Sequence, residues 1–382
     1  MAGRRITAWE TDEIAAFRDM VRRFGAAEIA PQDARWRAQH HVDRDFWRKA
    51  GAVGLLCPSI PEQYGGGGGT FAHEAVVAEE LAAIGCSSFG QVVHGTIVAH
   101  YLLAYGSQAQ KQRWLPRLCS GELVGAIAMS EPAAGSDLQG IRCRAVRDAD
   151  SYLVSGSKTF ITNGSQAELV IVVVKTDAAA GAKGVSLLVV ETLATPGFER
   201  GRVLDKIGMP GADTAELFFD NARVPASQLL GQEGQGFVQL MQQLPQERLA
   251  IAVSATASME TAVAQTVEYT KQRQAFGKPL FEMQNTRFTL AECATVARVT
   301  RAFVDDCVVE HVAGRLSAAE ASMAKCWATD QLGRVVDRCL QLHGGYGYMN
   351  EMPIARSFVD ARVMRIYGGA NEVMKELVAR SL

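Results

Sequence analysis

Leu169-Val-Ile-Val-Val-Val-Lys175 is a short, uninterrupted β-rich run, and a second, Val185-Ser-Leu-Leu-Val-Val190, follows it closely. Similar runs at 123–129, 151–154 and 215–219 share the same region, with Asn, Asp and Gly between them. That texture predicts an antiparallel sheet or barrel. The runs are too close together for crossover helices, so a parallel doubly wound sheet fits poorly. On either side the period changes. Residues 13–24 and 71–84 place apolar side chains at three- and four-residue steps, the spacing of a helix face. After Gly234 the helical period returns at 235–273, 282–313, 317–342, 353–365 and 370–381, long segments that suggest a bundle. The expected class is α+β: a helical domain over 1–121, a β-domain over 122–232 and a helical bundle over 233–382, with no internal repeat.

A chain of 382 residues is too long for one compact core, which agrees with two or three packed regions. Its 48% hydrophobic and 21% charged content reads as an ordinary soluble protein. A net charge of −2 leaves no basic footprint for nucleic acid or an anionic membrane. No stretch approaches the roughly 20 apolar residues of a membrane span. Met1-Ala-Gly-Arg-Arg-Ile-Thr7 carries neither a signal-like apolar region nor an Arg/Ser-rich transit segment, so a cytoplasmic location is expected. Eight scattered cysteines without CxxC spacing predict reduced, mostly buried thiols and no metal site. His40-His41 is expected on a solvated stretch. Five consecutive glycines at 65–69 have no preceding strand and no following Gly-Lys-Ser/Thr, so a flexible loop is expected there and not a phosphate cradle.

Three clusters could carry chemistry. Ile127-Ala-Met-Ser-Glu-Pro-Ala-Ala-Gly-Ser136-Asp137 ends a strand and turns through small residues, which let backbone N–H groups approach a flat or anionic ligand; it could equally be a plain β-turn. Gln341-Leu-His-Gly-Gly-Tyr-Gly347-Tyr348 follows a helix and lacks GxGxxG, so it gives no dinucleotide fingerprint and reads as a helix cap unless a ligand ties it down. Gln242-Gln-Leu-Pro-Gln-Glu247-Arg248-Leu-Ala-Ile251 puts Glu247 on one helix face with Leu244, Ala250 and Ile251, beside Pro245, which weakens the backbone ladder. A buried carboxylate is costly unless it is paired or functional, and these residues leave both readings open.

Together, and in this order, these clusters resemble the acyl-CoA dehydrogenase family. The resemblance covers nearly the whole chain and also rests on Lys158-Thr-Phe-Ile-Thr-Asn-Gly164, Asp213-Thr-Ala-Glu-Leu-Phe-Phe-Asp220, Gln272-Arg-Gln-Ala-Phe-Gly277 and Asp360-Ala-Arg362. Leu244-Pro-Gln-Glu-Arg-Leu249, Arg301-Ala-Phe-Val-Asp305 and the run from Ile366 to Leu377 are similar to its long-chain branch. The resemblance implies a helical domain, a middle β-domain and a four-helix bundle, assembled as a homotetramer around FAD. It implies that Ile127, Ala128, Met129, Ser130, Gly135 and Ser136 line the flavin, with Ser130 bonded to the isoalloxazine edge. Phe160, Ile161 and Thr162 would pack on the ring. Arg273, Phe276, Gln284 and Gln341, Leu342, His343, Gly344 and Gly345 would hold the ADP part, some of it across a subunit interface. Ala370, Asn371 and Glu372 would close the flavin site. Ser136, Pro245, Gln246, Arg248 and Gly369 would meet the acyl-CoA.

Two departures sharpen the reading. Ala370 stands where many relatives have Thr, so one hydroxyl contact to the flavin is absent and backbone groups would have to serve. Gly368 stands where many relatives carry the catalytic Glu, whereas the long-chain and isovaleryl branches take that carboxylate from the position of Glu247. The resemblance therefore makes Glu247 the base that removes the thioester α-proton. It gives the carbonyl two donors, a ribityl hydroxyl of FAD and the backbone N–H of Gly368. Glu131 and Glu372 would lie beside the flavin, away from the α-carbon. The implied product is a trans-2-enoyl-CoA of medium or long chain, with electrons passed to an electron-transferring flavoprotein. Branched or terpenoid acyl-CoA substrates, an oxygen-using oxidase of the same fold and a catalytically dead FAD-binding assembly protein are the alternatives.

Overall fold

The computed structural model describes residues 7–382, so Met1–Ile6 of the amino-terminal reading lie outside the described residues. The amino-terminal third is helical: α1 (Asp12–Phe24), α2 (Asp33–Gln39), α3 (Arg44–Ala52), α4 (Phe71–Ala83), α5 (His100–Tyr105) and α6 (Gln108–Cys119). Thr11 starts α1 by accepting from the Ile14 N–H, while Asp12 and Glu13 face the positive end of the helix dipole. A wide π-wound stretch, Val92–Ala99, runs directly into α5.

Seven strands follow: β1 (Gly125–Ala128), β2 (Arg144–Asp148), β3 (Ser151–Thr162), β4 (Leu169–Lys175), β5 (Val185–Glu191), β6 (Phe198–Val203) and β7 (Thr214–Pro225). The sheet is mixed. The β2–β3, β3–β7, β4–β5 and β6–β7 pairs are antiparallel, as expected, but β1 runs parallel to β4 and β2 meets the end of β4 in parallel. With β5 along one side of β4, β1 and β2 share the other side. Every residue of β4 is buried because the strand separates two cores. Leu169, Ile171 and Val173 join the helical core, while Val170, Val172 and Val174 join the sheet core. Two covered faces explain its unbroken apolar run.

β3 bulges twice, next to Gly156 and between Lys158 and Ile161. The second bulge puts Phe160 in the left-handed region at φ 61°. After β7 come α7 (Gly236–Gln272), the short hairpin β8 (Gln274–Ala275) and β9 (Lys278–Pro279), α8 (Gln284–Val312), α9 (Ala318–His343), α10 (Pro353–Ala361) and α11 (Asn371–Ala379). Phe276 and Gly277 form the tip of that hairpin, both with positive φ, as its two-residue turn demands. The helix expected over 353–365 ends earlier, because Arg362–Arg365 tightens into a 3₁₀ turn.

The five-glycine segment is not the flexible loop its composition suggests. The amides of Gly66, Gly67, Gly68 and Gly69 donate to Pro61, Cys57, Ile60 and Pro58, and a Cβ on Gly66 would sit 2.1 Å from the Ile60 carbonyl. Its glycines allow close backbone packing, and its amides are not open to a phosphate. All eight cysteines are free thiols, six of them buried. Among the described residues no helix is long and apolar enough to cross a membrane.

Candidate active site

Lys158 organises the first part of the site. Its fully buried ammonium donates to the Met129 carbonyl at 3.0 Å and to Glu131 Oε1 at 2.8 Å, while the Thr159 N–H donates to the Ser130 carbonyl at 3.0 Å. These bonds hold the segment Met129 to Glu131, just after β1, beside Lys158 and Thr159 at the β3 bulge. Glu131 also accepts from the Arg142 and Cys143 amides, which makes it a clamp and not a reactant. Phe160 is 69% exposed at a backbone conformation that phenylalanine seldom adopts, so the bulge presents a flat aromatic face at a cost. Gly135 and Ser136 are exposed on the adjoining turn, and a Cβ on Gly135 would meet nothing. Ala128 and Ile161 were expected at the flavin, but their side chains pack in the sheet core. Only their backbones can line a ligand there.

A second surface lies at the end of α7 and α9. The Arg273 guanidinium is 5.7 Å from the Tyr346 ring centroid, and Phe276 is 96% exposed on its hairpin tip. Gln284, Gln341, Gly344 and Gly345 are exposed nearby in the chain fold, with Leu342 half-buried. The His343 ring, within the segment expected at the ADP part, is buried, stacked on Tyr269 at 4.1 Å and bonded through Nδ1 to the Cys339 carbonyl. It fixes the loop instead of reaching outward.

The third part surrounds Glu247, which is 5% exposed in the middle of α7. The partner is neutral. Tyr101 of α5 donates its hydroxyl to Oε1 at 2.9 Å. Burial pushes the Glu247 carboxyl up to about 7, against the smaller opposing pulls of the Tyr101 hydrogen bond and the Arg248 charge. Arg248 is also buried; Nη1 reaches Ser322 Oγ at 3.3 Å and Nε has no partner among the described residues. Gln246 was expected at the substrate, yet both ends of its amide are held inside, by the Thr96 carbonyl at 2.7 Å and by His311 at 3.1 Å. Pro245 is half-buried within α7.

The turn from Gly368 to Ala370 packs against this helix face. A Cβ on Gly368 would lie 2.4 Å from Ile251 Cδ1, one turn beyond Glu247, and one on Gly369 would lie 3.9 Å from Arg248 Nη2. Among the described residues the Gly368 amide has no acceptor. Lys325, which sequence reasoning missed, is fully buried beneath the turn; it donates to the Gly369 carbonyl and to Asn371 Oδ1, both at 2.8 Å. Burial lowers its ammonium to about 8. Asn371, expected at the flavin, turns its side chain inward to Lys325, Thr329 and Asp330. Glu372 is exposed in the first turn of α11. Tyr101 and Lys325 carry no spacing signal in the sequence, because one of two Tyr in a short apolar helix and a lone Lys in a long mixed one match no motif.

Models of the acyl-CoA dehydrogenase amino-terminal, middle and carboxy-terminal domains match residues 11–122, 126–222 and 234–382. The chain is 49% identical over 381 residues to the mitochondrial long-chain specific acyl-CoA dehydrogenase of Sus scrofa, covering 99% of this chain and 88% of that protein. The crystal structure of acyl-CoA dehydrogenase from Geobacillus kaustophilus superposes with a TM-score of 0.96 at 48% identity, over 98% of this chain and 99% of that one. A glutaryl-CoA dehydrogenase from Mycobacterium smegmatis, solved in complex with FADH2, superposes with a TM-score of 0.91 at 26% identity, over 97% and 95%. The chain belongs to the acyl-CoA dehydrogenase family of flavin-dependent oxidoreductases.

Proposed function

We propose that this enzyme dehydrogenates straight acyl-CoA chains of about eight carbons or more between Cα and Cβ, with Glu247 as the base. The reading rests on a buried carboxylate, raised to about 7, one helical turn before Ile251, which packs against the turn whose Gly368 amide has no acceptor among the described residues. The α-proton of a thioester is too weakly acidic for an ordinary solvated carboxylate at neutral pH, and a base poised near the operating pH is the more effective one. Glu247 takes that proton while the Gly368 N–H stabilises the charge that develops on the thioester oxygen. Arg248, adjacent on the helix and beside Gly369, keeps the base face and the turn together. Bound acyl chain excludes water from the carboxylate and raises its affinity for the proton further.

The residues present fit FAD. Phe160 offers a strained, exposed ring for the flavin, with Ile127, Met129, Ser130 and Thr162 beside it; Arg273, Phe276, Gln284 and the segment 341–345 would hold the ADP part. FAD, when bound, supplies the acceptor for the hydride from Cβ. Exposed Phe276, Phe288, Val299 and Trp327 on the bundle suit burial in a homotetramer. We assign an electron-transferring flavoprotein as the acceptor partner and the cytoplasm as the location. The preference for long straight chains rests on the 244–249 segment and on Ile366-Tyr-Gly-Gly369, which lacks the extra residues of the isovaleryl branch.

Anaerobic bleaching of the flavin by straight, branched and terpenoid acyl-CoAs tests the reading. Fast bleaching by octanoyl and longer thioesters supports it. A clear preference for butyryl- or isovaleryl-CoA overturns the chain-length assignment, and no bleaching by any thioester overturns the dehydrogenation itself. Oxygen uptake matching turnover would identify an oxidase instead.

A further inference from the structure

Tyr101 is 0% exposed, yet its hydroxyl is aimed at a carboxylate. Burial, and then the Glu247 charge, raise its phenol well above the usual tyrosine range, so it stays a donor at every working pH. Its aim is set by the segment before it. The π-wound stretch Val92–Ala99 gives up its Thr96 carbonyl to Gln246 Nε2, and Gln246 is tied in turn to His311 of α8. Two successive residues of α7, Gln246 and Glu247, are thus gripped by one amino-terminal helix. π-wound segments recur at functional sites because the extra residue per turn redirects side chains.

Few other charges face this carboxylate. From α7 itself there is Arg248; from α8, His311 stops at Gln246; from α9, Lys325 stops at Gly369 and Asn371. Among the described residues Tyr101 is the one donor that reaches it. We propose that Tyr101 is a positioning residue for the base: its hydroxyl holds one oxygen of Glu247, turns the other toward the substrate α-carbon, and stabilises the ionised carboxylate. This rests on the reading of Glu247 as the base.

A donor to the charged form favours that form, so removing it makes Glu247 harder to ionise. The base must be ionised to act. Tyr101→Phe keeps the ring and its packing, and the acid limb of the rate profile therefore moves to higher pH. The test compares FAD-loaded wild type, Tyr101→Phe and Glu247→Gln by rapid-mixing flavin reduction with a long-chain acyl-CoA, from about pH 6 to about pH 9. Infrared titration without substrate follows the carboxyl band that is missing in Glu247→Gln. Tyr101→Phe should be slower by about tenfold near pH 6 and within about threefold of wild type near pH 9, and its carboxyl band should titrate later. Tyr101→fluorotyrosine, a stronger donor, should move both readouts the opposite way and serves if Tyr101→Phe does not fold. A Tyr101 variant whose profile superimposes on wild type, or falls evenly at all pH, overturns the proposal when Glu247→Gln is inactive. An active Glu247→Gln instead overturns the assignment of the base.

Discussion

Glu247→Gln should make the protein more stable, and by an amount that depends on pH. The wild-type carboxyl is raised from 4.5 to about 7 by burial. Each pKa unit is worth about 1.4 kcal/mol, so ionising this group costs the folded state roughly 3 kcal/mol. The sign follows from proton binding. Between about pH 4.5 and about pH 7 the folded protein holds a proton that the unfolded chain has lost, so this group's contribution is full at acid pH and disappears as pH rises. Glutamine does not titrate. The stability difference between variant and wild type should therefore grow by roughly 3 kcal/mol from about pH 5 to about pH 8 and then level off. Urea unfolding at fixed protein and saturating FAD measures it as a midpoint difference at constant slope. A difference that stays flat over that range would refute a raised pKa for Glu247, and with it the poised base.

The base should be movable, within a steric limit. Gly368→Glu in the Glu247→Gln background should regain little flavin reduction, because a side chain at φ 64° costs about 1–2 kcal/mol and meets Ile251 Cδ1; adding Ile251→Val deletes that atom and should raise the recovery, whereas equal rates in the two variants would contradict the geometry. Lys158→Met leaves Glu131 buried without its cation and should destabilise by about 3–5 kcal/mol with loss of FAD; a thermal shift worth under about 1 kcal/mol would show that Lys158 is not the clamp described. Sedimentation should show a tetramer that sheds FAD on dissociation, and a monomer keeping both FAD and activity would sever the link between assembly and the flavin site.

The order helix, sheet, helix was legible because periodicity changes twice along the chain, and β4 was legible to the residue because both its faces are buried. β2 and β6 were not, since Arg144-Ala-Val-Arg-Asp148 and Phe198-Glu-Arg-Gly-Arg-Val203 are charged and largely exposed and carry no apolar run. The parallel pairing of β1 is a tertiary choice that no local pattern encodes. Within the site, Glu247 could be marked as a buried carboxylate from its helix face alone. Its partner could not: no local pattern points to it, and the fold supplies Tyr101, 146 positions away. Gln246, Asn371 and His343 were expected at ligands, but their side chains bond within the framework, a distinction that depends on rotamers and not on sequence order.

Whether Glu247 removes the α-proton is decided by rapid-mixing measurement of flavin reduction in Glu247→Gln. Glutamine fills the same space but accepts no proton, so the variant should fold, bind FAD and bind acyl-CoA. Its reduction rate should fall by at least the 10²–10⁴-fold typical of a lost general base, in rough terms. Reduction within about tenfold of wild type would place the base elsewhere.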